Sequence, residues 1–253
     1  MCESIQSPTC LLKAFPRIKL KDRTLGTFID SLYRLRDSNE VIFALTADHG
    51  ITPTPELWSA QNHQPAGRVS LDTLVLQYRR ALQLRDLPLS ALYFDSAILF
   101  VDRPAFARAK VNADSVVHAF ERDARSRAGV LRVDTPAVLA RADTVADPIA
   151  RRWFHSLPPD SPAALVVTLK PHYVWGAYAT GIHGGPYDDD AHVPIIFYGP
   201  GFNAGHYSEF ARVVDMAPTL AHVMEVVPTE PLDGHVLQAA LSPSSTTPKR
   251  QVP

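Results

Sequence analysis

Apolar residues along the chain form continuous runs typical of strands and spaced repeats typical of helices. Residues 41–45, VIFAL, predict a strand buried on both faces, as in a parallel sheet covered by helices. Two further runs, at residues 164–170 and 193–198, predict more strands. Residues 20–36 predict an amphipathic helix that packs into the core and leads into the first strand, because apolar residues recur at helical spacing: Leu25, Phe28, Ile29, Leu32 and Leu35.

The middle of the chain alternates between the two patterns. It predicts helices and strands in turn: helices at residues 70–85, 113–127 and 136–142, and strands at residues 92–94, 97–101 and 130–133. We therefore expect an α/β fold with a mixed, mainly parallel sheet, helices on both faces and an inserted α+β lobe.

These patterns suggest a domain plan. We expect a poorly ordered leader at residues 1–19, a main domain made of residues 20–67 and 163–241, and the inserted lobe at residues 68–162. Residues 242–253, SPSSTTPKRQVP, are polar and proline-rich, which predicts a disordered tail.

Composition and charge narrow the class of protein. The 253 residues, 46% of them hydrophobic, are enough for one large or two small domains. The formal net charge of -1 offers no basic surface for nucleic acid or an anionic membrane, and no apolar run approaches the ~20 residues of a membrane-spanning helix. We therefore expect neither a nucleic-acid partner nor a membrane. We expect Cys2 and Cys10 to be ordinary thiols and not a disulfide pair.

An acid and an imidazole follow the first predicted strand. Asp48 and His49 come directly after residues 41–47, where the carboxyl end of a strand in an open α/β sheet places ligand-binding groups. A carboxylate oxygen next to an imidazole nitrogen suits zinc better than calcium or magnesium. The alternative is that Asp48 caps a helix and His49 is an ordinary loop histidine.

A second polar cluster spans residues 180–201, TGIHGGPYDDDAHVPIIFYGPG. His183 lies between glycines, which allow the backbone to approach an ion closely. Three acids follow, Asp188, Asp189 and Asp190, and three roles remain open for them: binding a hard cation, orienting His183, or forming a polar loop with a helix cap.

Other polar residues carry weaker signals. Arg151, Arg152 and His155 form either a phosphate clamp or a solvated basic turn, and the turn is the favoured interpretation. His63 lies in a proline-rich loop and is more simply a loop histidine than a substrate or metal contact.

Five blocks in order resemble a known family: TADHG, GIHG with its acidic patch, HVPIIFYGPG, VVDMAPTLAHVM and DGHVL. They look like the C-terminal half of the alkaline phosphatase superfamily. The most similar branch is the type I phosphodiesterase/nucleotide pyrophosphatase group, together with the related broad-specificity bacterial alkaline phosphatases. The resemblance covers residues 20–241 and is weakest between residues 68 and 171.

The resemblance implies a function and a metal set. Intact members hydrolyse phosphate mono- or diesters with two zinc ions, so the chain is expected to act on phosphate esters as part of such an enzyme. By position, Asp48 and His49 are implied ligands of the zinc that activates the nucleophile, and His183 of the zinc at the leaving oxygen. The family is generally exported to the periplasm or secreted, although the first residues, MCESIQSPTCLLKAF, lack a signal-peptide pattern.

The chain also departs from the family pattern. Residues 1–47 contain no Asp-x-x-x-His pair and no Thr or Ser nucleophile at a strand-to-helix turn, so no catalytic residue is assigned and each metal site is expected to be incomplete. We expect a C-terminal portion, an incomplete alkaline-phosphatase-like fold whose partner is a missing N-terminal half. The open alternatives are an inactive truncated remnant or interaction domain, or another enzyme of the superfamily such as a sulfatase or phosphoglycerate mutase.

Overall fold

The computed structural model describes residues 8–95, 97–177 and 182–242, with side chains described from residue 19 onward. The chain divides into two compact units. We call His49–His192 the central unit, and Leu12–Asp48 together with the chain from Val193 onward the terminal unit.

Helices and short strands make up both units. In chain order they are α1 (Pro8–Tyr33), β1 (Phe43–Thr46), α2 (Pro55–Asn62), β2 (Gly67–Val69), α3 (Asp72–Gln83), β3 (Leu92–Asp95), β4 (Ile98–Val101), α4 (Arg103–Arg108), α5 (Ala113–Arg125), β5 (Val130–Asp134), α6 (Pro136–Leu139), α7 (Pro148–Ser156), β6 (Ala163–Leu169), β7 (Tyr173–Trp175), α8 (Asp188–Ala191), β8 (Ile195–Tyr198) and α9 (Met216–Val223). Single 3₁₀ turns lie at Ser38–Glu40, Leu89–Ala91, Val213–Asp215 and Gln238–Ala240.

The terminal unit contains a two-stranded antiparallel sheet. Strands β1 and β8 pair with Phe43 opposite Tyr198 and Thr46 opposite Ile195. The Phe43 ring packs edge-on against Tyr33, with ring centroids 6.0 Å apart, and its centroid lies 6.2 Å from that of Tyr198. These aromatic contacts join the end of α1 to the sheet.

The prediction that residues 41–45 are buried on both faces is wrong. Strand β1 begins at Phe43, and the Ala44 and Leu45 positions are exposed, Leu45 by 54%. The expected core-facing side of the first helix is exposed as well, Leu25 by 50% and Phe28 by 57%. An apolar pattern shows that burial would be favourable, but the described residues supply no second layer over these positions.

The central unit is organised around a four-stranded antiparallel sheet in the order β3-β4-β6-β5. Its middle strand, β6, is buried from Ala164 to Leu169. Alternate β6 residues face two different layers, as the two-residue period of a strand requires. Leu165 and Val167 pack into the larger core, which includes residues of α3 and α5, whereas Val166 packs with residues of α6 and α7.

The expected mainly parallel sheet is wrong. The sheets are small and mostly antiparallel, and among the described strands the parallel pair is β2 with β7. The reason is that a continuous apolar run such as β6 predicts burial on both faces but does not specify the direction of the neighbouring strands. The molecule remains a mixed α/β fold.

Helix predictions in the central unit are confirmed with shifted ends. Helix α5 begins after Asn112, whose side-chain oxygen accepts the Ser115 N–H at 2.8 Å and so caps the first turn. Val117, Phe120 and Ala124 recur at helical spacing on its buried side. Helix α7 was not predicted, and its N-cap is Asp147, whose side chain accepts the Ala150 N–H at 2.9 Å.

Some expectations concern residues at the edges of the description. Residues 1–7 of the expected leader and residues 243–253 of the expected tail lie outside the described residues, as do the side chains of Cys2 and Cys10. The domain limits at residues 68–162 stay a prediction. Within the described part of the chain, no helix combines the length and apolar character needed to cross a membrane.

Candidate metal centre

Two backbone hydrogen bonds bring the His49 and His183 loops together in the central unit. The Thr52 N–H donates to the Ile182 carbonyl at 2.9 Å, and these two residues form an isolated antiparallel bridge. The Gly50 N–H donates to the Asp190 carbonyl at 2.6 Å. The segment that begins at His49 is therefore held against both sides of the loop that carries His183.

A glycine at position 50 makes this approach possible. A Cβ atom built on Gly50 would lie far inside van der Waals distance of the Asp189 carbonyl oxygen, which is a backbone atom that cannot move aside easily. The glycine in TADHG is therefore explained by a close backbone contact rather than by chain reversal alone.

The imidazole rings of His49 and His183 are stacked. Their centroids lie 3.6 Å apart and their planes are inclined by 5°. The His49 Nδ1 atom lies 2.7 Å from the Gly50 carbonyl oxygen. Because a carbonyl oxygen only accepts, Nδ1 is the donor in this contact.

Asp48 belongs to the terminal unit, at its boundary with the central unit. Its proposed metal role therefore depends on its place next to His49 in the sequence and on the family resemblance. The roles of Asp48, His49 and His183 as ligands stay predictions.

Helix α8 separates the three consecutive aspartates. The Asp188 side chain is 81% exposed and accepts a bond from Arg152 at 2.5 Å. Asp189 lies 3.4 Å from Nδ1 of His172, whose ring stacks on Trp58 at 3.6 Å. Asp190 is only 3% exposed. The sequence alone does not distinguish the three aspartates. One turn of helix directs their side chains to different surroundings.

The Asp190 carboxylate is the buried acid of the site. One oxygen, Oδ2, accepts the Gly185 N–H at 2.5 Å. Burial raises the pKa of Asp190 above its usual value, although the Gly185 N–H and the nearby His183 and His49 rings act in the opposite direction. Sequence reasoning left Asp190 among three equal candidates, and its burial is the signal that distinguishes it.

Arg152 supports the His183 loop from helix α7. Its guanidinium donates to the Pro186 carbonyl at 2.7 Å as well as to Asp188. The favoured interpretation of residues 151–155 as a solvated basic turn is wrong. These residues lie in helix α7, and the Arg152 side chain is held by the two hydrogen bonds just described. His63 ends α2 with φ 53°, and the described structure assigns it no contact with the site.

The donor atoms fit zinc in kind but not in number. Imidazole nitrogen and carboxylate oxygen are ordinary zinc ligands. Among the described residues, no group of three or more His, Cys, Asp or Glu side chains is arranged to hold a metal ion. A complete site would therefore need ligands beyond His49, His183 and Asp48.

The chain is similar to part of several known proteins. No family model matches the chain. The alkaline phosphatase PhoK of Sphingomonas sp is 26% identical over 246 residues, which cover 85% of this chain and 40% of that protein. The crystal structure of the alkaline phosphatase PafA matches with a TM-score of 0.75 and 20% identity, over 87% of this chain and 42% of that one. Human ectonucleotide pyrophosphatase/phosphodiesterase 5 matches with a TM-score of 0.60 and 18% identity, over 94% and 55%.

The fold is thus a mixed α/β fold that matches part of the alkaline phosphatase fold. The sequence similarity and the fold similarity are both to part of proteins of the alkaline phosphatase superfamily. The chain spans about two fifths of the length of the two alkaline phosphatases it matches.

Proposed function

We propose that this chain is the C-terminal portion of a zinc-dependent hydrolase of phosphate mono- or diesters. Asp48 and His49 bind one zinc ion in this proposal, and His183 binds a second. The observation that carries it is the face-to-face contact of the His49 and His183 rings, 3.6 Å apart. Two imidazoles side by side can serve two neighbouring ions, which is the arrangement that in-line phosphoryl displacement uses.

The two similar alkaline phosphatases and the similar nucleotide pyrophosphatase/phosphodiesterase suggest the substrate class by their names. Zinc, when bound, would supply positive charge to the phosphate oxygens. The contribution of this chain is to hold the metal-binding side chains in position. The Gly50 carbonyl fixes the ring orientation of His49, and the Thr52–Ile182 bridge fixes the spacing of the two loops.

The remaining machinery belongs to a separate segment in this proposal. A nucleophile held in line with the phosphorus is required, because positioned groups reach effective molarities of about 10⁵ M or more. The family resemblance assigns no hydroxyl of this chain to that role. We propose that an N-terminal half supplies the nucleophile and the other ligands, as a partner or as part of the same polypeptide.

Zinc calorimetry on the 253-residue chain tests the metal assignment. Because a catalytic zinc site normally has three protein ligands, we expect micromolar or weaker affinity. His49→Ala and His183→Ala should each weaken it at least tenfold, whereas the control His63→Ala should leave it unchanged. Binding that survives both substitutions would place the metal elsewhere.

Hydrolysis of p-nitrophenyl phosphate and its diester tests the activity. The chain alone should be no faster than zinc in buffer, and co-expression with the N-terminal half should give turnover that Asp48→Ala removes. Zinc binding without turnover after this addition would favour the inactive-remnant alternative over the hydrolase.

A further inference from the structure

One buried acid connects the two histidine loops. Asp190 accepts the Gly50 N–H through its backbone carbonyl at 2.6 Å and the Gly185 N–H through Oδ2 at 2.5 Å. Gly50 adjoins His49 in the sequence, and Gly185 follows His183 by two positions. The position of Asp190 therefore affects both histidines through backbone contacts.

The second carboxylate oxygen of Asp190 can accept a further hydrogen bond. Oδ1 is buried and, among the described residues, has no hydrogen-bond partner. A buried acceptor without a partner costs about 1–3 kcal/mol, and more when it is charged. Such an atom in a native structure calls for an explanation, for example a bound water, an ion or a functional role.

The His183 ring is the group best suited to be that partner. Among the side chains that lower the pKa of Asp190, His183 has the largest effect and His49 the next. A cavity of about 30 Å³ borders the region and is lined in part by His172, His183 and Asp190. His183 and Asp190 therefore line the same small cavity.

We propose that Asp190 is a positioning residue for His183. Resting on the proposed function, the inference is that Oδ1 accepts one ring N–H of His183 when the other ring nitrogen binds zinc. Histidine ligands of metals usually donate their second N–H to a carboxylate or carbonyl, which fixes the tautomer and the ring orientation. His49 already has such a partner in the Gly50 carbonyl, so each ring would be oriented by its own acceptor.

This role differs from that of the other two acids. Asp189 faces His172, and Asp188 faces Arg152 at the surface. In this proposal Asp190 acts through His183 and not as a ligand itself, because its Oδ2 atom already accepts the Gly185 N–H.

The test compares Asp190→Asn with Asp189→Asn in the full chain. Asparagine retains an oxygen for the Gly185 N–H, but its NH₂ group cannot accept from His183. We expect Asp190→Asn to weaken zinc binding about 10- to 100-fold in calorimetry, as substitutions of such partners do. Asp189→Asn should change it less than about threefold, and the melting temperature of the zinc-free Asp190→Asn protein should stay within about 5 °C of the original. Unchanged zinc affinity in Asp190→Asn would overturn the proposal.

Long-range ¹⁵N–¹H NMR of the histidine rings provides a second measurement without activity. With zinc bound, the original chain should show a single His183 tautomer with a slowly exchanging ring N–H, and this signal should be lost in Asp190→Asn. If Asp190→Asn does not fold, the spectrum of the original chain decides: a His183 ring N–H that exchanges rapidly with solvent while zinc is bound would contradict the proposal.

The two proposals fail in different ways. Zinc binding that is insensitive to His183→Ala refutes the metal assignment and this inference with it. Zinc binding that needs His183 but not Asp190 refutes this inference alone and indicates that water in the cavity satisfies Oδ1.

Discussion

The imidazole rings of His49 and His183 lie face to face, 3.6 Å apart, although the two residues occupy distant parts of the sequence. Backbone hydrogen bonds between the two loops support this contact. Substitutions that disturb those backbone bonds should therefore change metal binding without altering any ligand.

Gly50→Ala should separate the two histidine loops. The added methyl group would overlap the Asp189 carbonyl oxygen, and relieving such a backbone clash typically costs about 1–3 kcal/mol. We expect a lower melting temperature and weaker zinc binding. Gly26→Ala is the control, because its Cβ would meet nothing within 4 Å, and alanine in a helix should stabilise by about 0.5–1 kcal/mol. Equal effects of the two substitutions would contradict the role given to Gly50.

Arg152→Ala should loosen the loop that follows His183. The substitution removes the bond to the Pro186 carbonyl and the ion pair with Asp188 together. Asp188→Asn removes the charge of the exposed pair alone, and such pairs contribute about 0–1 kcal/mol. We expect hydrogen exchange at the Gly185 amide to become about tenfold faster in Arg152→Ala and to change little in Asp188→Asn. A larger effect from Asp188→Asn would show that the ion pair is the main restraint.

Asp215→Asn should reduce the stability of the terminal unit in a pH-dependent way. Burial alone would raise the pKa of Asp215, but the backbone N–H groups of His235 and Arg212 and the Arg212 charge together lower it below the usual value. A lowered folded-state pKa contributes stability above the unfolded value of about 3.9, and this contribution is lost as the pH falls through the folded value.

We therefore expect Asp215→Asn to cost about 1–3 kcal/mol at pH 7. Urea unfolding at a series of pH values should show this difference shrinking below about pH 4. Glu209→Gln, an exposed acid of the same unit, is the matched control. If the stability difference instead grew as the pH fell, the pKa of Asp215 would be raised on folding and not lowered.

Phe120→Ala should destabilise the central unit strongly. The Phe120 side chain is fully buried, and its ring lies edge-on to Tyr78 at 5.3 Å. Truncation of such a ring costs about 3–5 kcal/mol because a cavity remains. Phe154→Ala removes a ring that is 42% exposed and should cost less than half as much in the same thermal unfolding experiment. Similar losses would mean that the larger core does not dominate this unit.

The sequence by itself determined the local elements and the chemistry of the candidate ligands. Helical spacing located α5, and an apolar run located β6, because side-chain periodicity follows directly from backbone geometry. Asp48, His49 and His183 were recognisable from residue type and from the order of the matching blocks.

Only the tertiary structure decided how these parts are arranged. Strand direction depends on which neighbours supply the hydrogen bonds, so the antiparallel order around β6 could not be read from its apolar residues. The exposure of Leu45 likewise depends on what covers the strand. Asp188, Asp189 and Asp190 are identical in sequence, but each successive residue of a helix is rotated by about 100°, so that here a single acid, Asp190, is directed inward.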